Sequence, residues 1–148
     1  MRQLAEEKLQ ITLALSLHAV TDEKRRQLMP IANKYSIAEL METCAYYFDC
    51  TGRRLTFEYS LVGGVNDTEE DARGLIALAH PLNCHINLIP VNPIKERDYV
   101  QSTRERVEAF KNRLEKGHVQ VTVRREMGRD IDGACGQLRR RHIEERPK

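Results

Sequence analysis

The run Asp130-Ile131-Asp132-Gly133-Ala134-Cys135-Gly136-Gln137-Leu138 sets a cysteine among small residues, behind two carboxylates and ahead of the basic stretch Arg139-Arg140-Arg141-His142. The glycines let the backbone turn tightly around the thiol, and the small neighbours leave it open to approach. That is the setting of a thiol that reacts. It also suits a buried cysteine packed as a small hydrophobe in a turn, so the rest of the chain must decide. Neighbouring carboxylates raise a thiol's pKa; Asp130 and Asp132 are therefore read as shaping the loop, not as acid or base.

Other polar residues suited to binding are scattered: Ser16-Leu17-His18, then Gly63-Gly64 with Asn66, then Asn92 ahead of Pro93. Each has an ordinary reading. His18 can be a satisfied histidine beside a loop, and Asn92 can be an Asn-Pro turn former. The four cysteines, Cys44, Cys50, Cys84 and Cys135, show no metal-ligand spacing such as C-x-x-C. The chain thus offers no self-contained zinc or iron–sulfur site.

The surrounding pattern says what would position these residues. Ile11 to His18, Leu55 to Val62, His85 to Pro90 and Val119 to Val123 are short apolar, β-branched runs that read as strands. Between them lie helical periods. Thr21-Asp22-Glu23 caps a short helix that stops before Pro30. Ser36 and Glu39 form a capping box for a stripe of Ile37, Leu40, Met41, Cys44, Tyr47 and Phe48, closed by Gly52. Cys44 on that stripe reads as core, Cys84 at a strand mouth as structural, and Cys50 has no assigned role. Asn66-Asp67 turn the chain into a helix from Glu69 to Ala79 that buries Ala72, Leu75, Ile76 and Ala79. A loop runs from Asn92 to Gln101. Ser102 and Glu105 read as a second capping box, for a helix carrying Val107, Phe110 and Leu114 and ended by Gly117.

Strands alternating with helices of this length predict an α/β fold with a parallel sheet, open or part of a barrel. In such sheets, sites form beyond the carboxyl ends of the strands. Ser16-Leu17-His18 end the first strand, and Gly63-Gly64, Asn66, Asn92 and Cys135 follow the ends of the others, so they are expected to gather on one rim.

The 148 residues suffice for one domain with a core. A net charge of +2 points only weakly to a polyanion. The absence of a signal-like segment or a long apolar run leads us to expect a cytoplasmic protein with no membrane span. With no tryptophan and few aromatics, a stacking platform for single-stranded RNA is not expected. The arginine tail reads as a solvated end, with RNA contact as the second reading.

Four stretches, LALSLHA around Ser16 to His18, TFEYSLVGGVND from Thr56 to Asp67, NLIPVNP from Asn87 to Pro93 and DIDGACGQL from Asp130 to Leu138, resemble the bacterial dual-specificity adenine-C2 RNA methyltransferases of the radical S-adenosylmethionine (radical SAM) superfamily. The resemblance runs in order over nearly the whole chain. It implies the C-terminal half of a partial (β/α)6 barrel, with residues 119–148 as an extension carrying the reactive cysteine. It also implies methylation of carbon 2 of an adenine in 23S rRNA and some tRNAs, with S-adenosylmethionine and a [4Fe-4S] cluster as cofactors and a reductant for the cluster. That carbon is a poor nucleophile. The family first methylates a cysteine, then forms a carbon radical on its S-methyl group, and a second cysteine releases the product through a transient disulfide. Carried over, Cys135 resembles the methyl-carrying cysteine, and Ser16, Leu17, His18 and Asn92 resemble contacts to S-adenosylmethionine.

The departures matter as much. The family's C-x-x-x-C-x-x-C cluster motif, its second cysteine, its proposed glutamate base and its first strands have no counterpart here. Met1 falls just before the family's fourth strand. The chain is thus expected to be one incomplete core domain over 1–148, unable to bind the cluster or methylate RNA alone. The edge left on the Ile11 to His18 strand is expected to drive self-association. The related enzyme that methylates carbon 8 of the same adenine shares several of these motifs, but TFEY and IPVNP favour the C2 reading. A non-catalytic RNA-binding or scaffold remnant is the alternative outside enzymology.

Overall fold

In the computed structural model, residues 1–91 and 100–124 are described. Asn92 and Cys135, with Asp130, Asp132 and the arginine tail, lie outside the described residues. Helices α1 (Arg2–Glu6), α2 (Asp22–Leu28), α3 (Ile37–Thr51), α4 (Glu69–Ala79) and α5 (Arg104–Lys116) alternate with strands β1 (Ala14–Ser16), β2 (Thr56–Gly63), β3 (His85–Pro90), β4 (Val100–Gln101) and β5 (Gln120–Val123). The sheet is open, in the order β1-β2-β3-β5. All three of these pairings are parallel, and β4 adds an antiparallel bridge to the end of β2.

The α/β expectation holds, with local corrections. The first strand is only Ala14–Ser16, not Ile11 to His18, because only this stretch pairs with β2. The segment ending at Gln101 read as loop, yet it closes with β4. The short helix α1 left no capping signal in the sequence. The expected capping box of α5 is absent. Its N-cap is Thr103, whose hydroxyl accepts the Arg106 N–H, while Ser102 donates instead to Asp67 at 2.8 Å. The box at Ser36 and Glu39 is present, and Gly52 takes the left-handed conformation that ends α3. A further box joins Thr68 and Asp71 at the start of α4.

Strand β2 alternates strictly over most of its length. Phe57, Tyr59 and Leu61 are fully buried, while Thr56, Glu58 and Ser60 are half-buried. Period-two alternation sends these two sets to opposite faces. The apolar set joins Ile86 and Leu88 of β3 in one core with Cys44 and Tyr47 of α3, Ala72, Leu75 and Ala79 of α4, and Val107, Phe110 and Leu114 of α5. Tyr59 and Phe110 stack with ring centroids 5.5 Å apart. Parallel strands usually read as continuous apolar runs because helices cover both faces. Here the alternation leaves a polar second face, as on the inner wall of a barrel.

Candidate functional site

That polar face is built in register. Ser16, Glu58, Asn87 and Thr122 are paired residues on four adjacent parallel strands. The Asn87 amide donates to both Glu58 carboxylate oxygens, at 3.1 and 3.3 Å, and the Thr122 hydroxyl donates to Asn87 Oδ1 at 3.4 Å. His85 Nε2 lies 2.9 Å from the Thr122 hydroxyl.

At the carboxyl edge of this face β1 gives way to Leu17 and His18. Ser16 is exposed, Leu17 is fully buried in the core and His18 is half-buried. The N–H groups of Leu17 and His18 both donate to the Glu58 carbonyl, at 3.0 and 3.3 Å. His18 has φ +61°, a left-handed conformation uncommon for a residue with a Cβ. The Ser60 N–H donates to its Nδ1 at 2.9 Å. Neutral imidazole with Nδ1 as acceptor carries its hydrogen on Nε2. Burial lowers the His18 pKa below its ordinary value. Glu58 opposes that shift and Arg25 adds to it.

Asn66, from the turn after β2, is completely buried. Its amide nitrogen donates to the His18 carbonyl at 2.7 Å and the Ser60 carbonyl at 2.6 Å, and its Oδ1 accepts the Val62 N–H at 2.8 Å. The Tyr59 hydroxyl donates to the Asn66 carbonyl at 2.8 Å. The neighbouring Asp67 accepts from the Gly64 N–H at 3.0 Å, from the Ser102 hydroxyl and from Arg106. The rim expected after β1 and β2 therefore exists, with Ser16, His18 and Asn66 on it. The Leu17 side chain lies in the core, and only its backbone reaches the rim. Glu58, Ser60, Asn87 and Arg25 also belong to this neighbourhood and were missed in the sequence. Glu58 left one faint signal, a lone carboxylate in an alternating strand.

Two of the three described thiols lie in the core. Cys44 and Cys84 are buried on the core side, and burial pushes them up to about 11 and about 12. Cys50 is exposed at the end of α3. No cluster of three or more His, Cys, Asp or Glu among the described residues could hold a metal ion. No helix among them is long and apolar enough to cross a membrane.

A one-sided parallel sheet whose strand ends carry an exposed serine and a neutral histidine donor can receive a polar small molecule at its rim. No protein-family profile matches the chain. A solved structure, a radical SAM methyltransferase from Sphaerobacter thermophilus, superposes with a TM-score of 0.86 at 43% identity, covering 92% of this chain and 40% of that one. The fold is thus that of a radical SAM methyltransferase segment. The chain is also 66% identical over 145 residues to the probable dual-specificity RNA methyltransferase RlmN of Lachnospira eligens, and 59% identical over 142 residues to the protein so named in Clostridium perfringens strain 13. These alignments cover 98% and 96% of this chain and 41% of each relative. The chain thus matches RlmN-type methyltransferases along a segment that spans about two fifths of the length of these curated relatives.

Proposed function

We propose that the whole protein methylates carbon 2 of an adenine in 23S rRNA and in some tRNAs, in the cytoplasm, with Cys135 as the methyl-carrying residue. The observation that carries this reading is the 66% identity over 145 residues to a protein named for dual-specificity RNA methylation. The TM-score of 0.86 to a radical SAM methyltransferase supports it.

The described residues fit S-adenosylmethionine at one place, the end of β1. There the Ser16 hydroxyl and His18 Nε2–H would hold it, and the resemblance adds Asn92 to the set of contacts. They do not fit a [4Fe-4S] cluster, since two of the described thiols are buried behind the sheet, the third stands at the end of α3, and no three metal-ligating side chains cluster among the described residues. When bound, S-adenosylmethionine supplies the methyl group and, with a cluster and an external reductant, the hydrogen-abstracting chemistry. The chain's own contribution is nucleophilic. The Cys135 thiol loses its proton, its sulfur forms a bond to the methyl carbon, and the carbon–sulfur bond of the donor breaks to leave a neutral thioether.

Mass spectrometry of rRNA and tRNA from cells carrying the full-length protein tests the reading. We expect 2-methyladenosine with the parent protein and none with Cys135→Ala; continued multiple turnover by that variant would overturn the assignment. Methylation at carbon 8 would instead identify the related resistance-type enzyme. The 148-residue chain alone is expected to take up no stoichiometric iron on anaerobic reconstitution. It is also expected to self-associate through the edge of β1, beside which Leu9 and Ile11 stand exposed. A concentration-independent monomer by light scattering would contradict the second expectation.

A further inference from the structure

Three consecutive carbonyls at the end of β1 are each taken by a buried side chain. Arg25, on α2 and only 3% exposed, donates from Nη2 to the Ser16 carbonyl at 3.3 Å and from Nε to the Leu17 carbonyl at 3.1 Å. Its remaining terminal nitrogen donates to the Tyr35 carbonyl at 3.3 Å. Asn66 takes the third carbonyl, that of His18. No ion pair among the described residues includes Arg25. Burial disfavours its charge and Asp22, one turn earlier on α2, favours it without hydrogen-bonding to it. A buried guanidinium with no carboxylate bonded to it is costly, and an apolar side chain of similar volume would often serve stability as well or better. What the guanidinium supplies that an apolar chain cannot is geometry. Its rigid fork fixes the directions of adjacent carbonyls and ties them to the α2–α3 connection. The left-handed His18 is held against its intrinsic preference by the same contacts, and strain of that kind collects at functional sites.

The consequence lies in what remains free. Every backbone polar group from the Ser16 carbonyl to the His18 carbonyl is used inside the protein, and His18 Nδ1 is used by Ser60. Among the described residues, His18 Nε2 has no hydrogen-bond partner. We propose that Arg25 is a positioning residue for the S-adenosylmethionine subsite, holding the strand end so that Ser16 and His18 present one hydroxyl and one fixed Nε2–H donor to an acceptor atom of that ligand. This rests on the functional reading above and adds to it a residue on a different element and a tautomer.

The test uses the full-length protein and S-adenosylhomocysteine as probe, read by titration calorimetry, with thermal melting of each variant as control. Arg25→Met is expected to weaken binding by about tenfold or more through misplacement of the strand end. Arg25→Lys is expected to recover part of that, because an ammonium reaches one or two of the three carbonyls. Nitrogen NMR of histidine-labelled protein should show His18 protonated at Nε2 in the parent and a mixture of tautomers in Arg25→Met. Binding within about twofold of the parent in a folded Arg25→Met protein, or His18 protonated at Nδ1 in the parent, would overturn the proposal. Should Arg25→Met fail to fold, Arg25→Lys decides by the same criterion, since it keeps the charge and most of the volume. Ser16→Ala and His18→Asn separate the two levels. If they weaken binding and the Arg25 variants do not, the positioning role alone fails. If none of the four weakens it, the strand end is not the cofactor site, and the site assignment fails with it.

Discussion

The Asn66 amide reaches across 48 positions of chain to donate 2.7 Å to the His18 carbonyl. That bond joins the turn after β2 to the end of β1. The same side chain also closes its own turn through Ser60 and Val62. Asn66→Ala would leave three backbone groups without a partner, two of them carbonyls at the rim. The expected loss is about 3 kcal/mol, less than the sum of three separate bonds because water reaches the rim. Urea unfolding should show it as a lower midpoint with an unchanged slope. Asn66→Asp is expected to cost more at neutral pH than at acid pH, since an ionised carboxylate would face two carbonyl oxygens at hydrogen-bond distance.

Asp67 makes a second link, from the β2 turn to the start of α5. Its side chain is 1% exposed while that of its partner Arg106 is 57% exposed. The exposed half of such a pair contributes little, so Arg106→Ala should cost under about 1 kcal/mol. Asp67→Ala strands the Ser102 hydroxyl and the Gly64 N–H and should cost about 2–3 kcal/mol. Equal losses in the two variants, measured by denaturant midpoints, would show that the ion pair outweighs the buried hydrogen bonds.

How much of this was legible in the sequence depended on the range of each interaction. The caps at Thr21, Ser36 and Gly52 could be read because their partners lie within four residues. The Ser102–Glu105 box failed for the opposite reason. Ser102 matches the local pattern, but its hydroxyl is claimed by Asp67, 35 residues away, so the helix starts one residue later on Thr103. Asn66 read correctly as a turn former and sat on the expected rim, yet nothing local showed that its amide fixes His18. Arg25 looked like one more charge on a short charged helix. Only the folded chain brings the Ser16, Leu17 and Tyr35 carbonyls within its reach.

The pH dependence of stability follows from the two perturbed histidines. Burial lowers His18 and His85 below the ordinary value of 6.5; Arg54 adds to the shift at His85, and Glu58 opposes it at both. Just below that value the unfolded chain binds more protons than the folded one, so stability rises with pH there. Their contribution is complete above 6.5 and is lost as the pH falls through the folded values. The Glu39 carboxylate, held below its ordinary 4.5 by the Ser36 N–H and hydroxyl, adds a further loss only at lower pH. Urea midpoints taken from about pH 8 to about pH 5 should therefore decline, and His18→Asn should flatten the decline. Asparagine is the suitable replacement because it tolerates a left-handed backbone. An unchanged slope in His18→Asn would assign the dependence to His85 instead.

Gly74, midway along α4, shows how closely the helix layer approaches the strand end. A Cβ there would lie 2.8 Å from Val20 Cγ2 and 3.1 Å from Val20 Cβ. Val20 is β-branched and stiff, so it cannot swing away as a long side chain would. On helix propensity alone, Gly74→Ala should gain up to about 1 kcal/mol. Overpacking of about 1–3 kcal/mol should outweigh that gain. The expected result is a net loss, although the substitution favours the helix. Val20→Ala removes the obstructing methyls, so the double variant should be more stable than the sum of the two single losses predicts, with a coupling of at least about 1 kcal/mol. Val20 lies two residues beyond His18, so the clash would push on the strand end that Arg25 and Asn66 hold. Gly74→Ala alone should therefore weaken S-adenosylhomocysteine binding in the full-length protein, and Val20→Ala added to it should restore that binding. Strict additivity of the two substitutions in both measurements would mean that α4 shifts as a body and leaves the rim undisturbed.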